Sequence, residues 1–137
     1  MSAYKIIKCK ATTIDEVVFA LQQLGCPQKF IEIHDNPEPL VRYNGAQLGR
    51  ANIIVRKEWL NKHWSHGASN DLGFEKTPEG IKVHVSDYDT HWWTEKEPKF
   101  AQYAVEKKVT NELKKRGYMA TKSTSGDTIE LTLIKTY

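Results

Sequence analysis

Apolar and polar positions divide the chain into short segments of two periods. Tyr4 to Ala11 (YKIIKCKA) is rich in β formers and predicts a strand. Behind it, Ile14, Val17, Val18, Leu21 and Leu24 recur at helical spacing and predict one apolar helix face. Thr13-Ile14-Asp15-Glu16 spells a capping box, in which the Thr13 hydroxyl accepts from the Glu16 amide and the Glu16 carboxylate reaches back to the amide of Thr13. Gly25 suits the residue after the helix, and Pro27 prevents its resumption.

The middle of the chain reads as β. Phe30 to His34 alternates strictly, Asp35 to Pro39 predicts a turn or loop, and Leu40 to Tyr43 a second short strand. Asn44-Gly45 is a hairpin dipeptide, because both residues tolerate positive φ, and Ala51 to Arg56 follows as a strand. Leu72 to Glu75 and Ile81 to Val85 flank the turn sequence Thr77-Pro78-Glu79-Gly80. Ile81, Val83 and Val85 alternate with Lys82 and His84, which predicts one buried and one wet face. Between these strands, residues 57–70 have ambiguous periodicity and predict an exposed insertion, partly helical at Glu58 to His63.

A second long helix is expected to start around Pro98, with Ala101, Val105, Val109 and Leu113 as an i, i+4 row joined by Phe100 and Ala104. Gly117 closes it. A hairpin of Tyr118 to Thr124 and Thr128 to Tyr137 follows, with Ile129, Leu131 and Leu133 on one face. The predicted order is β-α-β-β-β-β-β-α-β-β. Adjacent strands joined by short turns demand an antiparallel sheet, and two amphipathic helices need a surface to cover. The expected fold is α+β, one domain over residues 1–137, with both helices packed on one sheet face.

Composition narrows the function classes. The chain has 137 residues, 39% of them hydrophobic, which is a globular composition. Mean hydropathy is -0.59, and no apolar run approaches the roughly 18 residues of a membrane span. The lysine-interrupted N-terminal segment is not a secretory leader, so the expectation is a cytoplasmic protein with no membrane partner. A net charge of +3 is too small an excess to imply nucleic acid by itself. Cys9 and Cys26 fit free thiols in a reducing compartment.

Several segments in register resemble a family of uncharacterised proteins encoded in some chloroplast genomes, in cyanobacteria and in certain bacteriophages. They are the N-terminal strand and helix ending in Leu24-Gly25, Asn52-Ile53-Ile54-Val55-Arg56, Asp71-Leu72-Gly73-Phe74, Trp92-Trp93, and Phe100-x-x-Tyr103-Ala104 leading to Lys115-Arg116-Gly117-Tyr118 and a terminal hairpin. The chain departs from that pattern in the expanded stretch 57–70 and in Asp89-Thr90-His91 before the tryptophan pair. The resemblance implies a fold and a genomic setting, and no reaction.

No ordered nucleophile–base–acid set and no glycine-rich phosphate loop is present, so no catalytic residue or cofactor is assigned. The expected role is a non-catalytic binding or adaptor protein acting on a protein partner. Its contact surface would combine Trp59 and Trp64 of the insertion with His91, Trp92 and Trp93, because tryptophan beside basic residues favours binding hot spots. A nucleic-acid alternative uses Lys107, Lys108, Lys114, Lys115 and Arg116, with Glu112 to Arg116 pairing as the local counter-reading. A third reading places an anionic small ligand near Arg42, Arg50 and Arg56 with His91 and the tryptophans. His63 and His66 are weak metal candidates, since a metal site needs three or four convergent ligands. Self-association stays open.

Overall fold

The computed structural model describes residues 4–66, 68, 70–126 and 128–135. The element order is β1 (Tyr4–Lys8), α1 (Ile14–Gln23), a 3-10 turn (Gln28–Phe30), β2 (Glu32–Val41), β3 (Gln47–Val55), α2 (Lys57–His63), β4 (Leu72–Thr77), β5 (Gly80–Ser86), α3 (Thr90–Lys115), β6 (Tyr118–Ser125) and β7 (Thr128–Lys135). The fold is α+β, as the periodicities predict. A five-stranded sheet runs β1-β5-β4-β3-β2, antiparallel throughout, and β6-β7 forms a separate two-stranded ribbon.

One sheet face carries Ile53, Phe74, Val83 and Val85 into a core shared with Val17, Ala20 and Leu21 of α1 and with Trp92, Trp93 and Phe100 of α3. Both long helices therefore cover the same face. Phe74 is the junction: its ring stacks on Phe100 with centroids 5.4 Å apart and meets Trp93 edge-on at 5.9 Å. Such aromatic pairs contribute about 0.5–1.5 kcal/mol each beyond the area they bury.

Four expectations change. The two short strands expected at residues 30–34 and 40–43 are one long edge strand, β2. Pro37 and Pro39 sit within it because an edge strand leaves one side of its amides unpaired, and the register shifts between Ile33 and Glu38. α3 starts at Thr90 and runs through Pro98. Trp92 and Trp93 before the proline and Phe100 after it bury in one core, and that burial carries the helix past a residue that normally interrupts it. The row expected to face the sheet is displaced: Val105 and Val109 are exposed, whereas Phe100 and Ala104 are buried. The stretch after β3 holds the short helix expected there, α2, but its Trp59 and Leu60 are buried, so it is not an exposed insertion.

The capping box holds in part. The Glu16 amide donates to the Thr13 hydroxyl at 3.3 Å, but the Glu16 carboxylate accepts from the amide and hydroxyl of Thr12, not the amide of Thr13. Cys9 and Cys26 are free and buried, and burial pushes their thiols up to about 11 and about 12. The common face expected for Ile129, Leu131 and Leu133, and the positions of Gly67 and Asp127, lie outside the described residues. Among the described residues, no helix is long and apolar enough to cross a membrane.

Candidate functional site

The sheet is split at one corner, and two concavities result. β3 pairs with β4 only over Ile53, Ile54 and Val55. At the next residue back, the Asn52 side chain takes over from the ladder. Its carbonyl accepts from the Lys76 amide at 2.8 Å, and its amide donates to the carbonyls of His34 and Asp35. Beyond this wedge the β2–β3 hairpin leaves β4 and folds across the face opposite the helices. Leu40 and Ala51 then lie on Gly73, so closely that a Cβ at Gly73 would stand 2.7 Å from the Ala51 Cβ. Asp71 anchors the folded-back strand. Its amide donates to the Val41 carbonyl at 3.1 Å, and its carboxylate accepts from the Val41 amide at 2.8 Å.

On the helix side, the departure of the hairpin leaves a groove of about 640 Å³ beside α1. Val18, Phe19, Ile33 and Ile81 supply its apolar lining, with Lys76 and Lys107 at hand. Ile33 ends the cross-strand row Ile33, Ile53, Phe74, Val83, Ile7. Its two ends, Ile33 and Ile7 on the edge strands, are 49% and 41% exposed, whereas the three residues between are 0%, 0% and 2%. The Lys107 ammonium lies 5.5 Å from the Phe19 ring centroid, a cation–π contact that tethers it near the groove. Asp15, also on the groove, is held below the usual carboxylate range, chiefly by the Thr13 hydroxyl bond and further by Asn111 and Lys107.

On the opposite face the hairpin roofs β5. Pro39, Gln47, Gly49, Arg50, Glu75 and His84 line a notch of about 470 Å³. His84 is 4% exposed, and its Nε2 lies 2.8 Å from a Glu75 carboxylate oxygen.

A polar cluster joins the hairpin to the start of α2. The Arg56 guanidinium contacts Glu32 at 2.6 and 2.8 Å and Asp71 at 2.8 Å. The Lys57 amide donates to the other Asp71 oxygen at 2.9 Å. Hydrogen bonding from Arg56 holds the Glu32 carboxyl below its ordinary range, and the same bond raises Arg56. Deeper still, Asn70 and Ser86 donate to Asp89 on one carboxylate oxygen, and the Trp92 indole N–H donates to the other at 3.0 Å. Tyr4 closes the cluster on the Asp71 carbonyl at 2.8 Å, and burial raises its phenol.

The expected tryptophan surface is not formed. Trp59, Trp92 and Trp93 are buried, and Trp64 is half-buried, with its indole N–H donating to the Leu24 carbonyl at 3.3 Å. Trp64 meets Trp59 edge-on at 5.1 Å and lies 6.1 Å from Trp92, so the four rings form one continuous aromatic packing. His91 is exposed on α3, apart from that packing. Arg42 is buried, Arg56 is engaged by Glu32 and Asp71, and Arg50 alone of the three lines the notch.

Of the basic residues of α3, Lys108, Lys114 and Lys115 line a depression of about 650 Å³ together with Asp15, Glu16 and Glu112. The observed pair is Glu112 with Lys115 at 3.5 Å, one residue short of the expected Arg116, which is exposed. His63 stacks on Trp59 at 4.6 Å, and the His66 carbonyl accepts from Asn61. Among the described residues, no three His, Cys, Asp or Glu side chains converge to hold a metal.

Ile33 and Lys76 carry no binding signal in the sequence; His84 enters there only as an alternative to His91 in a metal set with Asp87 or Asp89, and Glu75 only as a candidate acid–base carboxylate with Asp71, Asp87 and Asp89, for which turn chemistry is the favoured account. Gly73 was the available signal, since a glycine inside a strand marks close approach of another backbone. No family model matches this chain, and no curated protein or solved structure matches it.

Proposed function

We propose that this chain is a non-catalytic binding protein, and that its groove beside α1 receives a segment of a protein partner carrying an apolar side chain next to carboxylates. Ile33 carries the reading. It is one of the two exposed ends of a cross-strand row whose middle is buried, and it lies where an apolar lining meets Lys76 and Lys107. Apolar contact would supply the affinity, and the two ammonium groups would select acidic flanks. The setting proposed for that accessory role is cyanobacterial or phage, as the family resemblance implies.

The test is a panel of short peptides that place Leu or Phe between acidic residues, with basic-flanked counterparts, read by fluorescence anisotropy. Acidic-flanked peptides should bind, and affinity should fall as salt rises. Ile33→Asp and Lys107→Glu should each weaken binding by about tenfold or more, a typical loss for an apolar anchor or a charge pair at an interface. Equal binding of both peptide classes, or variants that bind like the parent, refutes the reading.

A further inference from the structure

The notch on the other face carries an observation independent of the groove. A carboxylate only accepts, so in this pair Nε2 of His84 is the protonated nitrogen that donates to Glu75. In the neutral ring that leaves Nδ1 as a lone-pair acceptor. Nδ1 is buried and has no hydrogen-bond partner among the described residues. A buried polar atom in this condition is uncommon in folded proteins and calls for an explanation.

The surroundings point to one. Nδ1 is turned toward Gly49, where a Cβ would stand 3.4 Å from it. Gly49 has φ +83°, so glycine suits the backbone there, and it also leaves the approach to Nδ1 without a methyl cap. Residues 47–50 are all exposed and take no part in the ladder to β4, though Arg50 and Gln47 pair with Pro39 and Val41 of β2, so a ligand reaches Nδ1 only with an outward shift of the β2–β3 hairpin. Arg50 lines the same notch, with one guanidinium nitrogen donating to the Pro37 carbonyl at 3.3 Å. Its other N–H donors suit a carboxylate or phosphate. About 470 Å³ accommodates a compact molecule, given the roughly 30 Å³ that each water occupies.

We infer that the notch is a binding site for a small anion bearing a neighbouring hydroxyl, the hydroxyl donating to His84 Nδ1 and the anionic group taken by Arg50. Glu75 is a positioning residue, fixing the tautomer that leaves Nδ1 as acceptor.

The experiment follows the imidazole nitrogen resonances of the full chain by NMR while glycerate or glycerol 3-phosphate is added. Acetate, inorganic phosphate and glycerol serve as references. A saturable shift of the His84 Nδ1 signal with glycerate, weakened about tenfold or more in Arg50→Gln, supports the site and assigns a carboxylate. The same result with glycerol 3-phosphate assigns a phosphate. Arg50 is exposed, so its variant keeps the fold, and Glu75→Leu, which removes the acceptor that fixes the ring's tautomer, should weaken binding. The inference is overturned if neither hydroxylated anion shifts the signal saturably, if a reference compound shifts it equally, or if Arg50→Gln binds like the parent. Neither Arg50 nor Glu75 lines the groove, so peptide binding there should be unchanged in these variants and the two readings fail separately.

Discussion

Gly73 and Asp71 show how much of this fold rests on single side chains, or on the lack of one. Leu40 and Ala51 close over Gly73 at distances a methyl group cannot share. Gly73→Ala should therefore destabilise the protein by about 1–3 kcal/mol, the usual cost of overpacking, read as a lower urea midpoint. Asp71 satisfies the amides of Val41 and Lys57 and one arm of Arg56. Its carboxylate is fully buried, so the pair acts as a fixed joint. Glu32, on the other arm of Arg56, adds a pH signature. Its carboxyl is depressed in the folded state by the Arg56 bonds, so the unfolded chain binds that proton more readily. The stabilisation is present above the ordinary glutamate range, near pH 4.3, and is lost as pH falls through the lower folded value. The stability gap between the parent and Glu32→Gln should therefore narrow on acidification below about pH 4. A gap unchanged down to pH 2 contradicts the assignment.

At the scale of elements, α1 was legible because each of its signals is local. Thr13, the apolar face and Gly25 all lie within one short stretch, and all three act as the spacing predicts. α3 was legible only in its second half. Pro98 looks like a start when read locally, and only the shared burial of Trp92, Trp93 and Phe100 reveals that the helix passes through it. β2 misled for a related reason. Pro37 and Pro39 break a central strand but are tolerated on an edge, and edge position is a property of the whole sheet. The alternation in β5 correctly buried Ile81, Val83 and Val85. It also assigned His84 to water, whereas a roof from β2–β3 covers that side chain. The roof is built from residues more than thirty positions away and leaves no periodicity in β5 itself. The candidate sites were illegible for the same reason, since both arise where the hairpin parts from β4.

Across the whole molecule, stability should be uneven. The β6–β7 ribbon pairs with no strand of the main sheet. Its ties to the helices include Lys122, whose ammonium lies 3.1 Å from the Glu106 carboxylate and over the Tyr103 ring at 5.1 Å. A two-stranded ribbon is marginal by itself. Its amides should exchange with deuterium faster than those of β3, β4 and β5 by orders of magnitude, because local opening leaves the main core intact. Equal protection of ribbon and sheet would show that they open as one cooperative unit.

The outermost place of β1 governs the timing of assembly. Among the described residues its only strand partner is β5, and every element from α1 to β4 lies between them in the chain. During synthesis the earliest strand of this sheet to emerge must wait until the latest exists, with its backbone unpaired meanwhile. Contacts of such long span slow folding, because the intervening chain must be ordered before they form. Sheet completion is thus the late kinetic step for the nascent chain, and it is the interval in which a chaperone would matter most.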